Sequence, residues 1–218
     1  MKKLYLTILF TALFLNSNSQ WYTQYFDGAD TSVWDALFIR IDTTDANNIW
    51  QIGPPQQVCF DSALTAPNSI VTDTIHDYPI FDTSYFEFTV PIDPWVGIIA
   101  LQWSQKLDMN SDSTIGIVEY SIDTGNTWAN AFDDPYVYNF YGFDVANEGW
   151  SFSGEHGFVG ADSSWKNVWL CYDNTWLWGM GVDSVMFRYT FKTYGAKYPG
   201  EGWLIDNMIA IPTWVHTV

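Results

Sequence analysis

The feature that most constrains this chain is a two-residue alternation of large apolar and small polar side chains. Between residues 184 and 191, Val185, Phe187, Tyr189 and Phe191 share one face, while Ser184, Met186, Arg188 and Thr190 share the other. Residues 115–122 set Val118, Tyr120 and Ile122 against Glu119 and Ser121, and residues 85–90 set Phe86, Phe88 and Val90 against Glu87 and Thr89. A period of two places successive side chains on opposite faces of extended backbone, which is the mark of a half-buried strand. Further strands are expected at 21–26, 36–41, 49–52, 69–72, 96–103, 168–172 and 202–211. The acids reinforce the reading, because 20 are Asp and only 5 are Glu. Asp, Asn and Gly bond their own backbone or tolerate positive φ and so favour turns, whereas Glu and Lys favour helices. The expectation is an all-β fold, an antiparallel two-sheet β-sandwich of the jelly-roll kind.

Residues 1–19 read as a secretory signal peptide: Lys2-Lys3, an apolar run from Leu4 to Leu15, then a small polar cluster. The apolar run is too short to span a bilayer core of about 30 Å as a helix. Residues 20–218 then form a single sandwich domain, with no linker, repeat or low-complexity tract. The expected location is secreted, extracellular or at the cell surface. Two of the chain's eight cations lie in the leader, and the formal net charge is −17. So acidic a surface repels nucleic acid and anionic lipid, leaving no nucleic-acid partner and no membrane insertion to expect.

Export permits a disulfide between Cys59 and Cys171, but two cysteines far apart in sequence serve equally as small buried hydrophobes. Residues 121–128, Ser-Ile-Asp-Thr-Gly-Asn-Thr-Trp, fit the Asp-box pattern S-x-D-x-G-x-T-W. In it Asp123 accepts backbone hydrogen bonds, Gly125 takes a positive φ and Trp128 packs back over the hairpin. The box occurs once and reads as a structural turn.

Three stretches together resemble the MAM-like or laminin-G-like lectin jelly-roll domains of secreted bacterial proteins, a kind often linked to a type IX secretion sorting domain. They are 48–55 with 62–64 and 67–73, then 118–128, then 187–191 leading to Glu201-Gly202-Trp203-Leu204-Ile205-Asp206-Asn207. The resemblance spans nearly all of the chain beyond the leader. It departs from the family at Val218, where no sorting domain follows, so the chain reads as a lone module or a shortened one. The resemblance also implies a structural calcium tying the first strand to the last. Its matching acids are Asp27, Asp30 and Asp206, with Asp206 facing away from the core; the plainer alternative is an Asx-turn and a backbone cap.

Jelly-roll glycosidases carry alternating acids on one strand, and with Glu87, Glu119, Glu148, Glu155 and Glu201 scattered no such strand exists. Catalytic residues are therefore not expected, although Asp residues brought together by folding are the rival reading. With 13 Trp in the chain, some indoles must reach the surface. The most aromatic stretch is 165–178, and a second lies at 136–141. Trp176 and Trp178, with Asp173 and Asn174 in the same turn, are the expected ligand-binding platform. The functional expectation is a secreted, non-catalytic recognition module for an extracellular glycan or surface protein. The alternatives are a carbohydrate-active hydrolase using Asp carboxylates and a purely structural domain of a larger surface protein.

Overall fold

The structure is a computed structural model that describes residues 21–26, 37–92, 96–110, 112–138, 147–195 and 197–214. The leader, Asp27 and Asp30 therefore lie outside the described residues. The first strands are β1 (Tyr22–Gln24), β2 (Arg40–Ile41), β3 (Gln51–Gly53), β4 (Ser69–Val71), β5 (Phe81–Pro91) and β6 (Val96–Asp108). There follow β7 (Thr114–Ser121), β8 (Ala129–Asn130), β9 (Val137–Tyr138), β10 (Glu148–Trp150) and β11 (His156–Phe158). The last are β12 (Ala161–Asp173), β13 (Ser184–Tyr194) and β14 (Gly202–Trp214), with a 3-10 turn at Thr175–Leu177 between β12 and β13.

These strands make two seven-stranded antiparallel sheets. The first runs β3-β4-β14-β6-β12-β9, with β1 also on β14; the second runs β10-β11-β7-β13-β5-β2, with β8 also on β7. The six long strands alternate between the sheets in chain order, β5, β7 and β13 in the second and β6, β12 and β14 in the first. The chain thus crosses from one layer to the other between successive long strands, and the long strands that neighbour each other within a sheet are distant in sequence. This is the expected two-sheet β-sandwich, and no α-helix occurs among the described residues.

The alternating apolar faces meet between the layers. Phe86, Phe88, Phe187, Tyr189 and Phe191 of the second sheet face Leu101, Trp103, Trp203 and Ile205 of the first, all of them buried. Trp103 meets Tyr189 edge-on at 5.1 Å, and Trp50 meets Phe86 the same way at 4.8 Å. Each large aromatic ring withdraws roughly 150–250 Å² from water, worth about 4–6 kcal/mol at ~25 cal/mol per Å² as an upper bound. Gly116 of β7 is where a side chain would not fit, since a Cβ there would lie 2.6 Å from the Trp203 ring.

Both cysteines are free: Cys59 is half-buried in the segment before β4 and Cys171 is buried on β12. Of the two readings open for them, the structure shows unbridged thiols.

Candidate functional site

The turn after β12 is built by its own side chains. Asp173 Oδ1 accepts from the Thr175 amide at 3.0 Å and from its hydroxyl at 2.7 Å, which starts the 3-10 turn. Asn174 is fully buried, and its Nδ2 donates to the Val96 carbonyl at 2.8 Å. The Trp178 indole donates to the same carbonyl at 2.9 Å while 38% of the residue stays exposed. Asp173 and Asn174 therefore hold the turn against β6, and the two indoles are left to form its surface.

Trp176 does not stand alone. Tyr136, from the segment before β9, stacks on it with centroids 5.6 Å apart and an interplanar angle of 27°. Pairing of β9 with β12 brings them together, through Tyr172↔Val137 and a hydrogen bond from the Asp173 amide to the Tyr136 carbonyl. Asp134 lies beside them: one carboxylate oxygen accepts from the Tyr136 amide at 2.7 Å, and the other accepts from the Tyr120 hydroxyl. Tyr120 of one sheet and Tyr172 of the other meet with centroids 4.5 Å apart. Burial raises both phenols well above the ordinary tyrosine value; hydrogen bonding to Asp134 adds to this for Tyr120 and the Tyr120 charge for Tyr172. The Tyr172 hydroxyl and the Trp176 indole nitrogen are buried with no hydrogen-bond partner among the described residues. One end of the sandwich thus carries stacked, partly exposed rings beside a carboxylate, above the buried Tyr120 and Tyr172 rings. Sequence reasoning marked both aromatic stretches separately, but only the β9–β12 pairing joins them.

Asp206 sits at a bulge of β14, where the register with β6 shifts and Asn207 takes φ +51°. It does face away from the intersheet core, but it is fully buried because the segment ahead of β4 covers it. Its carboxylate accepts from the Thr65 amide at 2.8 Å, the Thr65 hydroxyl at 2.9 Å and the Asn207 amide at 2.7 Å. Burial raises its pKa, and those hydrogen bonds oppose the rise.

A clasp that the sequence did not suggest holds the same segment. Glu201 accepts from three successive amides, Val58, Cys59 and Phe60, at 2.6–2.9 Å, and donates its own amide to Asp108 at 2.9 Å. The Cys59 thiol, Asp108 and Glu201 ligand atoms lie within 4.8 Å of one another. The Glu201 oxygens are already saturated by amides and Lys106 lies alongside, donating to the Cys59 carbonyl, so the group acts as a fastener rather than a metal centre.

The turn at residues 121–128 joins β7 to β8 and is held by Asp123. Asp123 accepts from the Thr127 amide at 2.9 Å, the Thr127 hydroxyl at 2.7 Å and the Ser121 hydroxyl at 2.8 Å, and Gly125 takes φ +87°. These bonds, the Thr127 amide first, pull the Asp123 pKa down to about 2.

No family model and no curated protein match the chain. Among solved structures, it is similar to the K2 cleaved adhesin domain of Lys-gingipain at 13% identity and TM-score 0.40, covering 87% of this chain and 98% of that one. It is also similar to the carbohydrate-binding module TmCBM61, solved in complex with β-1,4-galactotriose, at 8% identity and TM-score 0.39 over 79% of this chain and 86% of that one. A third likeness, to a protein of Bacteroides thetaiotaomicron, has 10% identity and TM-score 0.35 over 82% and 88%. Likeness at this level concerns the sandwich and says nothing of a ligand for this chain. Among the described residues no helix is long and apolar enough to cross a membrane.

Proposed function

We propose that the chain is a non-catalytic recognition module whose Tyr136–Trp176 end binds an extracellular glycan. The observation that carries this is the ring pair stacked at 5.6 Å, with Tyr136 45% exposed, beside the Asp134 carboxylate. A sugar ring offers C–H faces to an aromatic plane and hydroxyls that both donate and accept, so it matches such a surface group for group. Export and the single domain at 20–218 belong to the same proposal.

The glutamates are all engaged, which leaves the rival hydrolase only the Asp carboxylates it was expected to use, and the hydrolysis assay below tests those. Glu87 is bonded to Arg40, Glu119 to Arg188, Glu148 to His156 and Glu155 to Lys192, while Glu201 is filled by amides. None is a carboxylate left to act as a nucleophile or a free acid. The calcium reading of Asp27, Asp30 and Asp206 is likewise a proposal; Asp27 and Asp30 lie outside the described residues, and the Asp206 oxygens already accept from Thr65 and Asn207.

Retention on a glycan array tests the assignment, with hydrolysis assayed on the same polysaccharides. Retention without product is expected, and Trp176→Ala or Tyr136→Ala should weaken it about tenfold or more, the scale of one lost ring contact at a partly dry site. Retention untouched by both changes removes the platform, and released product removes the non-catalytic reading.

A further inference from the structure

The outer face of the second sheet shows how this chain holds a guanidinium. Register sets Arg40, Glu87, Arg188 and Glu119 side by side across β2, β5, β13 and β7. Glu119 takes Arg188 in two hydrogen bonds of 2.9 Å, and the guanidinium lies 4.1 Å from the Trp128 ring centroid and 5.1 Å from that of Tyr85. A carboxylate together with aromatic faces is the chemistry that holds an organic cation in water.

The same ingredients recur farther along β5. A groove of about 450 Å³ opens between the segment before β3 and the start of β5, lined by Asp45, Asn47, Phe81, Asp82 and Thr83 among others. Phe81 is 71% exposed. Its cross-strand partner is Tyr194, whose ring meets the equally exposed Phe152 edge-on at 5.8 Å, so aromatic surface continues from the groove across β13. No Lys or Arg among the described residues is left for this groove. Arg40, Arg188, Lys106, Lys166 and Lys192 are each paired with an acid elsewhere, and Lys197 lies over Tyr198. Burial, with the Asp45 charge adding to it, holds the Asp82 carboxyl above its ordinary pKa, a strain that an incoming cation would relieve.

We propose that this face docks a basic polypeptide: an arginine or lysine of the partner enters the groove between Phe81 and the Asp45 and Asp82 carboxylates, while Tyr194 and Phe152 take its apolar contacts. Charge complementarity selects this occupant. The chain's formal charge is −17, so a cationic partner is drawn in, whereas a second copy is repelled and brings only arginines that are already paired. The surface lies on the second sheet and does not depend on the Tyr136–Trp176 end.

The test is titration of the full chain with a fluorescent Arg-Ala repeat peptide and with its citrulline counterpart, which keeps the shape and lacks the charge. The arginine peptide should bind at least about tenfold more tightly than the citrulline one, the scale of a desolvated cation–π and carboxylate contact. Phe81→Ala and the double change Asp45→Asn/Asp82→Asn should each weaken it about tenfold. Asp61→Asn/Asp162→Asn, which removes equal charge from elsewhere, should change it little. Phe81 is exposed, so unchanged melting of the variants shows that the fold is intact. Equal weakening by both double variants would reveal unspecific attraction to an acidic protein and overturn the site. Equal affinity for the citrulline peptide, or self-association that Phe81→Ala abolishes without any peptide binding, overturns it too. Glycan retention is read separately and should be indifferent to all of these changes.

Discussion

The Arg188 guanidinium lies 4.1 Å from the centre of the Trp128 indole, so the last residue of the β7–β8 hairpin turn lies over the middle of the second sheet. Trp128 is fixed from behind by a 3.0 Å hydrogen bond from its indole nitrogen to the Gly125 carbonyl. The hairpin motif thus gains a job beyond its own turn: it covers an ion pair whose side chains are only 19% and 13% exposed.

Trp128→Ala should therefore destabilise the fold by about 1–2 kcal/mol, through lost cation–π contact and packing. Arg188→Ala should cost more, about 2–4 kcal/mol, because it leaves Glu119 shielded from water without its partner. Arg188→Lys keeps the charge but not the planar fork, and should fall in between. Urea unfolding of the single and double variants measures this. A Trp128/Arg188 coupling of zero would mean that the indole merely lies nearby.

Two polar groups within the aromatic core should respond in opposite directions. Gln105 Oε1 accepts from both core indoles, Trp103 at 2.8 Å and Trp203 at 3.0 Å. Gln105→Leu leaves two buried N–H donors unsatisfied and should destabilise by about 2–5 kcal/mol. The Tyr189 hydroxyl is buried with no partner among the described residues. Tyr189→Phe removes that unsatisfied group and should be neutral or stabilising by about 1 kcal/mol. A clearly destabilised phenylalanine variant would show that the hydroxyl is satisfied.

How much of this was legible in the sequence depended on the length of the pattern. β13 was plain because alternation runs unbroken from Val185 to Phe191; the expected strand at 85–90 falls within β5, and that at 115–122 matches β7 as far as Ser121. The start of β12 was missed because Asp162, Ser163 and Ser164 are polar on both faces and a register shift between Asp162 and Lys166 breaks the period. Strands of two or three residues such as β8 and β9 have no period to read. At the site, Trp176 was legible as part of an aromatic turn, but Tyr136 reaches it only through pairing that no local pattern encodes. Composition likewise cannot separate a ligand-facing asparagine from Asn174, which is spent on the Val96 carbonyl. Alternation did give the face of Asp206, yet not the Thr65 segment that closes over it.

The free thiols give a chemical prediction. Unfolded under non-reducing conditions, the protein should show both Cys59 and Cys171 titrating with a thiol reagent. In the folded state Cys171 should be the slower to alkylate, since burial pushes its pKa up to about 11 and little thiolate forms near neutrality. Cys59 is also raised, first by burial and then by the Glu201 charge, but it is only half-buried. Finding no free thiol in the unfolded protein would restore the disulfide.

Asp206 and Asp123 should leave opposite marks on the pH dependence of stability. Burial holds the Asp206 carboxyl above its unfolded value, so its contribution is most favourable below that value and is lost as pH rises through the folded one. Asp123, pulled down to about 2, supports the fold above its unfolded value and loses that support as pH falls towards about 2. Relative to the parent, Asp206→Asn should flatten the slope just above the ordinary aspartate pKa of about 3.9, and Asp123→Asn the slope below it. The calcium proposed at Asp206 would add a further signature: melting should then rise with calcium over EDTA in a concentration-dependent way, and Asp206→Asn should abolish the rise. Identical melts in calcium and EDTA would retire the metal and leave the pH argument intact, because the latter needs only a carboxyl enclosed by Thr65 and Asn207.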